Sequence, residues 1–128
     1  MTKKDLHLLG HTLLRVTIGL MFIITGIKKL GNISGVDTML GNLGFPIATF
    51  FAWLLALSEF IFGALIFLGF KTRITALPLA FILLVAEILV VIPNQGILST
   101  NSFFHLIAIS GIVTIYLTGP GKFSLTKR

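Results

Sequence analysis

From Leu8 to Leu30 the chain reads LLGHTLLRVTIGLMFIITGIKKL. Apolar side chains fill this stretch with few breaks, and at about 1.5 Å of rise per residue it is long enough to cross a bilayer as an α-helix. Lys3 and Lys4 precede it, and Lys28 and Lys29 close it. A cleaved secretory signal has a shorter apolar core and a small-residue cleavage site, so this run is expected to be a permanent membrane helix. Three further runs repeat the pattern: from about Ile47 to Phe70, from about Ile74 to Ile92, and from Asn101 to Thr118, with Phe103 to Leu117 as its apolar part. Between the first two lies Gly31 to Pro46, whose glycines, Pro46, Asn32, Ser34, Asp37 and Asn42 have the composition of an exposed loop. Lys71 and Arg73 mark a tight turn between the second and third runs, Pro93-Asn94-Gln95-Gly96 is expected to stop the third, and Gly119-Pro120-Gly121 the fourth. The expected fold is therefore all-α: an integral membrane four-helix bundle forming one domain over residues 1–128.

Composition agrees with this reading. Of 128 residues, 55% are hydrophobic and only 11% charged, and the mean hydropathy is +1.05; such a chain cannot hide its apolar surface in water. The net charge of +6 does not indicate nucleic acid, because the basic residues sit at the ends of the apolar runs. Lys3, Lys4, Lys71, Arg73, Lys122, Lys127 and Arg128 fall on one side of a four-span topology, and Lys28 and Lys29 on the other. The positive-inside rule then predicts a multi-pass protein of the cell membrane with both termini cytoplasmic and the Gly31 to Pro46 segment outside. Cysteine is absent, which excludes disulfides, thiolate metal sites and CxxC redox chemistry within the chain.

Ionisable groups at membrane depth are costly unless they face protein or water, so Arg15, Glu59, Glu87 and His105 are the informative residues. Arg15, Gly19, Phe22, Gly26 and Lys29 recur at spacings of four and three and share one helix face. Ala52, Ala56, Glu59 and Gly63 form a similar small-residue stripe on the second run, and the two faces are expected to pack together. Counting depth from the cytoplasmic boundary predicts an ion pair between Arg15 and Glu59. The same count places Glu87 and His105 near the outer side with Lys28 or Lys29, Asn94 and Gln95. These residues, with Asp37 joining from the loop, form a candidate mouth of a small-molecule site. Each reading has a structural rival: an intramembrane Arg and Glu pair also serves helix packing, the lysines also anchor at headgroups, and Glu87 and His105 lie near enough to the boundary to be wetted. His7 and His11 have the i, i+4 spacing of a metal pair but no carboxylate spaced to complete a site, so they read as interfacial and no metal is expected. Bis-histidine haem within one chain is not expected either, because His105 and the other histidines fall on opposite sides. No phosphate-binding loop and no nucleophile with a base at matched depth is present, which argues against a self-sufficient enzyme.

The ordered set Leu14-Arg15, Gly19, Phe22, Gly26, Lys29-Leu30 and Gly44-Phe45-Pro46 resembles the first helix and loop of the DoxX family of membrane proteins. Glu59 with Gly63, then Leu68-Gly69-Phe70-Lys71-Thr72-Arg73 and Ala76, is similar to that family's Glu-containing, Gly-rich helix and Gly-x-x-Thr-Arg turn. The tail Gly119-Pro120-Gly121-Lys122-Phe123-Ser124-Leu125 is similar to its ending, although Thr126 stands where many members carry Asp. The resemblance implies a four-helix membrane bundle. Some members are membrane subunits of thiosulfate:quinone oxidoreductase, which implies a subunit of a quinone-linked redox complex. In that reading Glu59 and Arg15 are the catalytic candidates, and Lys29, Glu87 and His105 are the cofactor-binding candidates. A quinone is then the candidate cofactor, none being held within the chain by a motif of its own. The expected partners are the lipid bilayer and either a homo-oligomer or a hetero-complex with other membrane or peripheral redox subunits. A non-catalytic scaffold or assembly subunit, and a small-anion carrier, are the alternatives.

Overall fold

The computed structural model describes residues 2–119. Helix α1 spans Lys3–Leu30, α2 Ile33–Asn42, α3 Ala48–Leu68, α4 Thr72–Ala86, α5 Ile92–Gln95 and α6 Thr100–Thr118. A π-helical turn, Glu87–Val91, joins α4 to α5 without a break. Four helical stretches, α1, α3, the α4–α5 unit and α6, are long and apolar enough to span a membrane, as the sequence predicts. Large apolar side chains such as Leu13, Phe81 and Ile107 are exposed on their outer faces, as lipid-facing positions require. Thr12, Thr17, Thr75 and Thr114 need no outside partner, since each donates to a carbonyl one turn back along its own chain.

The bundle closes as a ring in which α1 packs on α3, α3 on α4, α4 on α6 and α6 back on α1, with α1 against α3 the most extensive contact. One core runs through all four spans: Ile18 and Phe22 of α1, Ile66 of α3, Leu79 and Leu83 of α4, and Ile112 and Ile115 of α6. The predicted small-residue faces do meet. A Cβ built on Gly19 falls 2.6 Å from the Phe67 backbone nitrogen, one on Gly26 falls 2.7 Å from that of Phe60, and one on Gly63 falls 2.7 Å from Phe22 Cβ. Only hydrogen fits at these positions. The two helices run antiparallel in a single register, because stepping seven residues forward from Gly19 to Gly26 steps seven back from Phe67 to Phe60.

Three boundaries differ from the sequence expectation. Residues 33–42 are not loop but helix α2, capped by Asn32, whose side chain accepts from the Gly35 amide at 3.3 Å. Val36 and Leu40 are buried against Ala52, with Ile33, Met39 and Phe51 around them. This apolar spacing of three and four is helical and outweighs the helix-weakening glycines in so short a segment. The third span runs past Ile92 to Gln95. Pro93 lacks an amide hydrogen and its ring crowds the preceding turn, and the chain accommodates it by widening that turn into a π segment in which the Ile92 amide bonds to the Glu87 carbonyl. The first span extends outward to Lys3, where Thr2 and Asp5 form a reciprocal capping box. Elsewhere the expected turns hold: Gly69, with φ of 76°, closes α3 in the left-handed conformation, and Ser99 caps α6. Lys122, Lys127 and Arg128 of the expected basic tail lie outside the described residues.

A larger side chain at Gly26 must separate α1 from α3. Gly26→Leu is expected to destabilise the bundle by about 1–3 kcal/mol, read as a lower thermal midpoint of the detergent-purified protein. Gly10→Leu is expected to leave the midpoint in place, since a Cβ at Gly10 meets nothing within 4 Å.

Candidate functional site

The register of α1 against α3 decides which charges can meet. Lys29 lies one turn beyond Gly26, and Glu59 is the neighbour of Phe60, so the close approach at Gly26 delivers the ammonium to the carboxylate. Lys29 Nζ lies 2.7 Å from both Oε1 and Oε2 of Glu59. Glu59 is buried, with 4% of its side chain exposed against 30% for Lys29, while neighbouring Lys28 is exposed. The expected pair between Arg15 and Glu59 is not formed. Arg15 precedes Gly19 by four residues, so the antiparallel register sets it level with Lys71, twelve residues and roughly 18 Å along the helix from Glu59. Depth counted separately along each helix cannot supply that register. Arg15 is buried at the end of the bundle where α3 turns into α4, away from the other candidates.

The second group assembles around Glu87, the first residue of the π turn. His105 Nδ1 lies 3.2 Å from Glu87 Oε2, and the buried Ser102 hydroxyl donates to Glu87 Oε1. Both carboxylate oxygens are thereby engaged from α6, on which Ser102 and His105 share a face at i, i+3. Ser102 does not stand out in the sequence, where Ser99-Thr100-Asn101-Ser102 reads as a helix cap. Its signal is that spacing from His105. Asp37, Asn94 and Gln95 do not join the group. Asp37 accepts from the Thr49 hydroxyl at 2.7 Å, Asn94 donates to the Val90 carbonyl, and Gln95 accepts from Asn101. All three bonds lie at the exposed margin of the bundle.

The two polar groups meet at a common hollow. A groove of about 560 Å³ between α2, α3 and α4 is lined almost wholly by apolar side chains, with Lys29, Glu59, Ser58 and His105 as its polar members. Leu54, Phe81 and Leu89 line it as well and are 49%, 68% and 42% exposed on the outer surface of the spans, so the groove opens sideways. A second cavity of about 70 Å³ is also lined by Lys29, Glu59 and His105, with Phe22, Leu83 and Phe104, and has room for roughly two water molecules. Of the five candidates taken from the sequence, Lys29, Glu59 and His105 therefore share one site, Glu87 supports it from behind, and Arg15 is elsewhere. Among the described residues no group of three or more metal-ligating side chains gathers.

The profile of the DoxX family matches residues 10–92. The chain belongs to the DoxX family. DoxX-type relatives match it over most of its length: the "Putative oxidoreductase CatD" of Bacillus subtilis is 33% identical over 87% of this chain and 80% of its own length. The "Uncharacterized membrane protein Rv3486" of Mycobacterium tuberculosis is 30% identical over 90% of this chain and 78% of its own. The "Inner membrane protein YqjF" of Escherichia coli is 31% identical over 97% of this chain and 95% of its own. No solved structure matches the chain. With its four apolar spans, this DoxX-family chain is a multi-pass membrane protein whose surroundings are a lipid bilayer.

The pairing of Lys29 with Glu59 is testable by a double-mutant cycle. Lys29→Met strands a buried carboxylate and is expected to lower the thermal midpoint in detergent. Adding Glu59→Leu is expected to recover much of the loss, with a coupling of about 1–3 kcal/mol. Arg15→Met and Glu59→Leu are too far apart to couple, and their effects should add within about 0.5 kcal/mol.

Proposed function

We propose that this protein is a membrane subunit of a quinone-linked redox complex, and that the lateral groove takes the quinone with its ring against Lys29 and Glu59. The observation that carries this reading is the groove itself: an apolar trough, open toward the lipid-facing surface and ending on a buried carboxylate bridged by an ammonium. A ligand that partitions into the bilayer can enter such a trough without crossing water, and its polar head meets the charged groups at the end. Lys29 has three N–H donors and engages Glu59 through two oxygens, so one donor remains to orient a carbonyl or phenolic oxygen. Glu59 is placed to take up or give a proton at that head, the general acid–base role open to a carboxylate at depth. A quinone, when bound, supplies the two-electron acceptor that no side chain here supplies. The name of one relative, "Putative oxidoreductase CatD", supports the same class of activity. Electrons would come from a partner subunit, consistent with a chain that lacks cysteine.

A second reading, as a scaffold or assembly subunit, draws on the outer faces of the spans. Only 22–33% of each span's most apolar window is buried within the chain, which leaves wide helix faces for lipid or for partner helices, in a homo-oligomer or a hetero-complex. The orientation proposed is the one set by the basic residues, in the cell membrane with both termini cytoplasmic.

Glu59→Gln keeps the shape of the side chain and removes its acid–base function. In the purified complex, with subunit composition unchanged on native mass spectrometry, it is expected to slow quinone reduction by roughly 100-fold or more; unchanged turnover would leave the scaffold reading. Orientation is read separately. Because the chain has no cysteine, Ser34→Cys is a unique thiol that membrane-impermeant maleimide is expected to label in intact cells, whereas Thr2→Cys is expected to react only after permeabilisation.

A further inference from the structure

The Ser102–Glu87–His105 chain is more than a second polar cluster beside the groove. Three groups are held in a line: a buried hydroxyl bonds one oxygen of a buried carboxylate, and the other oxygen lies against one imidazole nitrogen. The carboxylate fixes the ring's orientation and places the N–H on Nδ1, because Glu87 offers only acceptors there. The remaining ring nitrogen, Nε2, is then the basic one, and His105 lines both cavities that Lys29 and Glu59 line. Among the described residues, the groups that face this imidazole are Glu87 behind it, the neutral Ser102 hydroxyl on its own helix, and the paired Lys29 and Glu59 across the small cavity from α1 and α3. Phe104 lies beside the ring, tilted by 56° at 6.3 Å between centroids, and lines the small cavity with it.

The geometry points to His105 as the base that accepts the proton of a phenol-type hydroxyl bound in the groove, with Lys29 holding the resulting oxyanion. This assignment rests on the groove reading above and names the chemical class it takes: phenols and hydroquinones, bound as the phenolate. In the step, His105 Nε2 forms an N–H bond as the ligand's O–H bond breaks, and the electron pair of that bond stays on oxygen. No electrons pass between molecules, so no oxidant or reductant is needed. The imidazolium is balanced by Glu87, and the phenolate oxygen by the one N–H of Lys29 not committed to Glu59. An ammonium and a carboxylate-backed imidazole lining the same cavity suit an acidic hydroxyl, which gives up a proton and leaves an anion. Glu87 and Ser102 act through His105 as positioning residues.

A probe whose ionisation is visible tests this without turnover. 4-Nitrophenol, bound to the whole protein in lipid nanodiscs, is expected to show its phenolate absorption band roughly 1 pH unit or more below the pH at which the free probe ionises, empty nanodiscs giving the baseline. His105→Gln is expected to bind the probe but to lose that shift. Glu87→Gln, which keeps the imidazole and removes its counter-charge, is expected to reduce it, and serves if the histidine variant fails to assemble. A phenolate shift of the same size in His105→Gln or in Glu87→Gln overturns the assignment and leaves the groove reading standing. If neither 4-nitrophenol nor decylubiquinone binds saturably to the unaltered protein, the groove reading fails, and this assignment with it.

Discussion

The contact between α1 and α3 sets the position of everything that follows. Hydrophobic burial gives membrane helices no reason to associate, since lipid tails are as apolar as leucine, and close backbone packing has to supply the specificity. Gly19, Gly26 and Gly63 supply it here by letting two helices meet where a methyl group would not fit. A packing surface this tight allows one register. That register puts an ammonium on a buried carboxylate at one end of the bundle and sends Arg15 to the other. The charge pair does not draw the helices together; the glycines do, and the charges sit where the packing leaves them. An ion pair at this depth gains from low dielectric only if its geometry is good, and a rigid contact one turn away is what secures the geometry.

Much of this is legible in the residues alone. The four spans, their basic flanks and the two small-residue faces can be read from hydropathy and spacing, because in a bilayer the backbone leaves only helices for a bundle of this composition. Lys29 is separable from Lys28 by its place on the face of Gly19, Phe22 and Gly26. Two kinds of information are missing from such a reading. Pairing between helices depends on an offset that no single helix encodes, so counting depth pairs Arg15 with Glu59 and leaves Lys29 to the outer group, and only packing brings Lys29 to Glu59. The element at residues 33–42 is hidden because its glycines, Asn32 and Ser34 speak for a loop, while its helical signal, Val36 and Leu40 with Ile33 and Met39, needs Ala52 and Phe51 opposite before it means anything. Ser102 is hidden for the same reason: its partner is fifteen residues away on another helix.

The site shows a division of labour between its walls and its end. Helices α2, α3 and α4 provide an apolar trough with an open side, while Lys29 of α1, Glu59 of α3, Ser102 and His105 of α6 and Glu87 of the π turn provide the polar groups, each already engaged within the protein. Glu59 and Glu87 are both nearly enclosed, and each has partners on both of its oxygens. Polar groups satisfied in this way can remain at membrane depth without a ligand, which a chain that waits on a partner or substrate requires. They also hold their donors and acceptors in fixed directions, so little ordering remains to be done when a head group arrives.

The π turn at Glu87–Val91 has a consequence of its own. A π turn holds one residue more than the α-helical path needs, and it acts as a phase shifter: everything beyond it is rotated by about 100° relative to an uninterrupted helix. The half of the span that packs into the bundle core and the half that carries Pro93 toward the α6 connection are therefore tuned independently. Glu87 stands at the seam, facing inward with the first half, while the second half turns to whatever direction the chain's outer end demands. A residue inserted at such a seam adds a new direction to a helix without repacking the part that was already in place, and a carboxylate at its edge can be enclosed by α6 on terms that a straight helix would not offer.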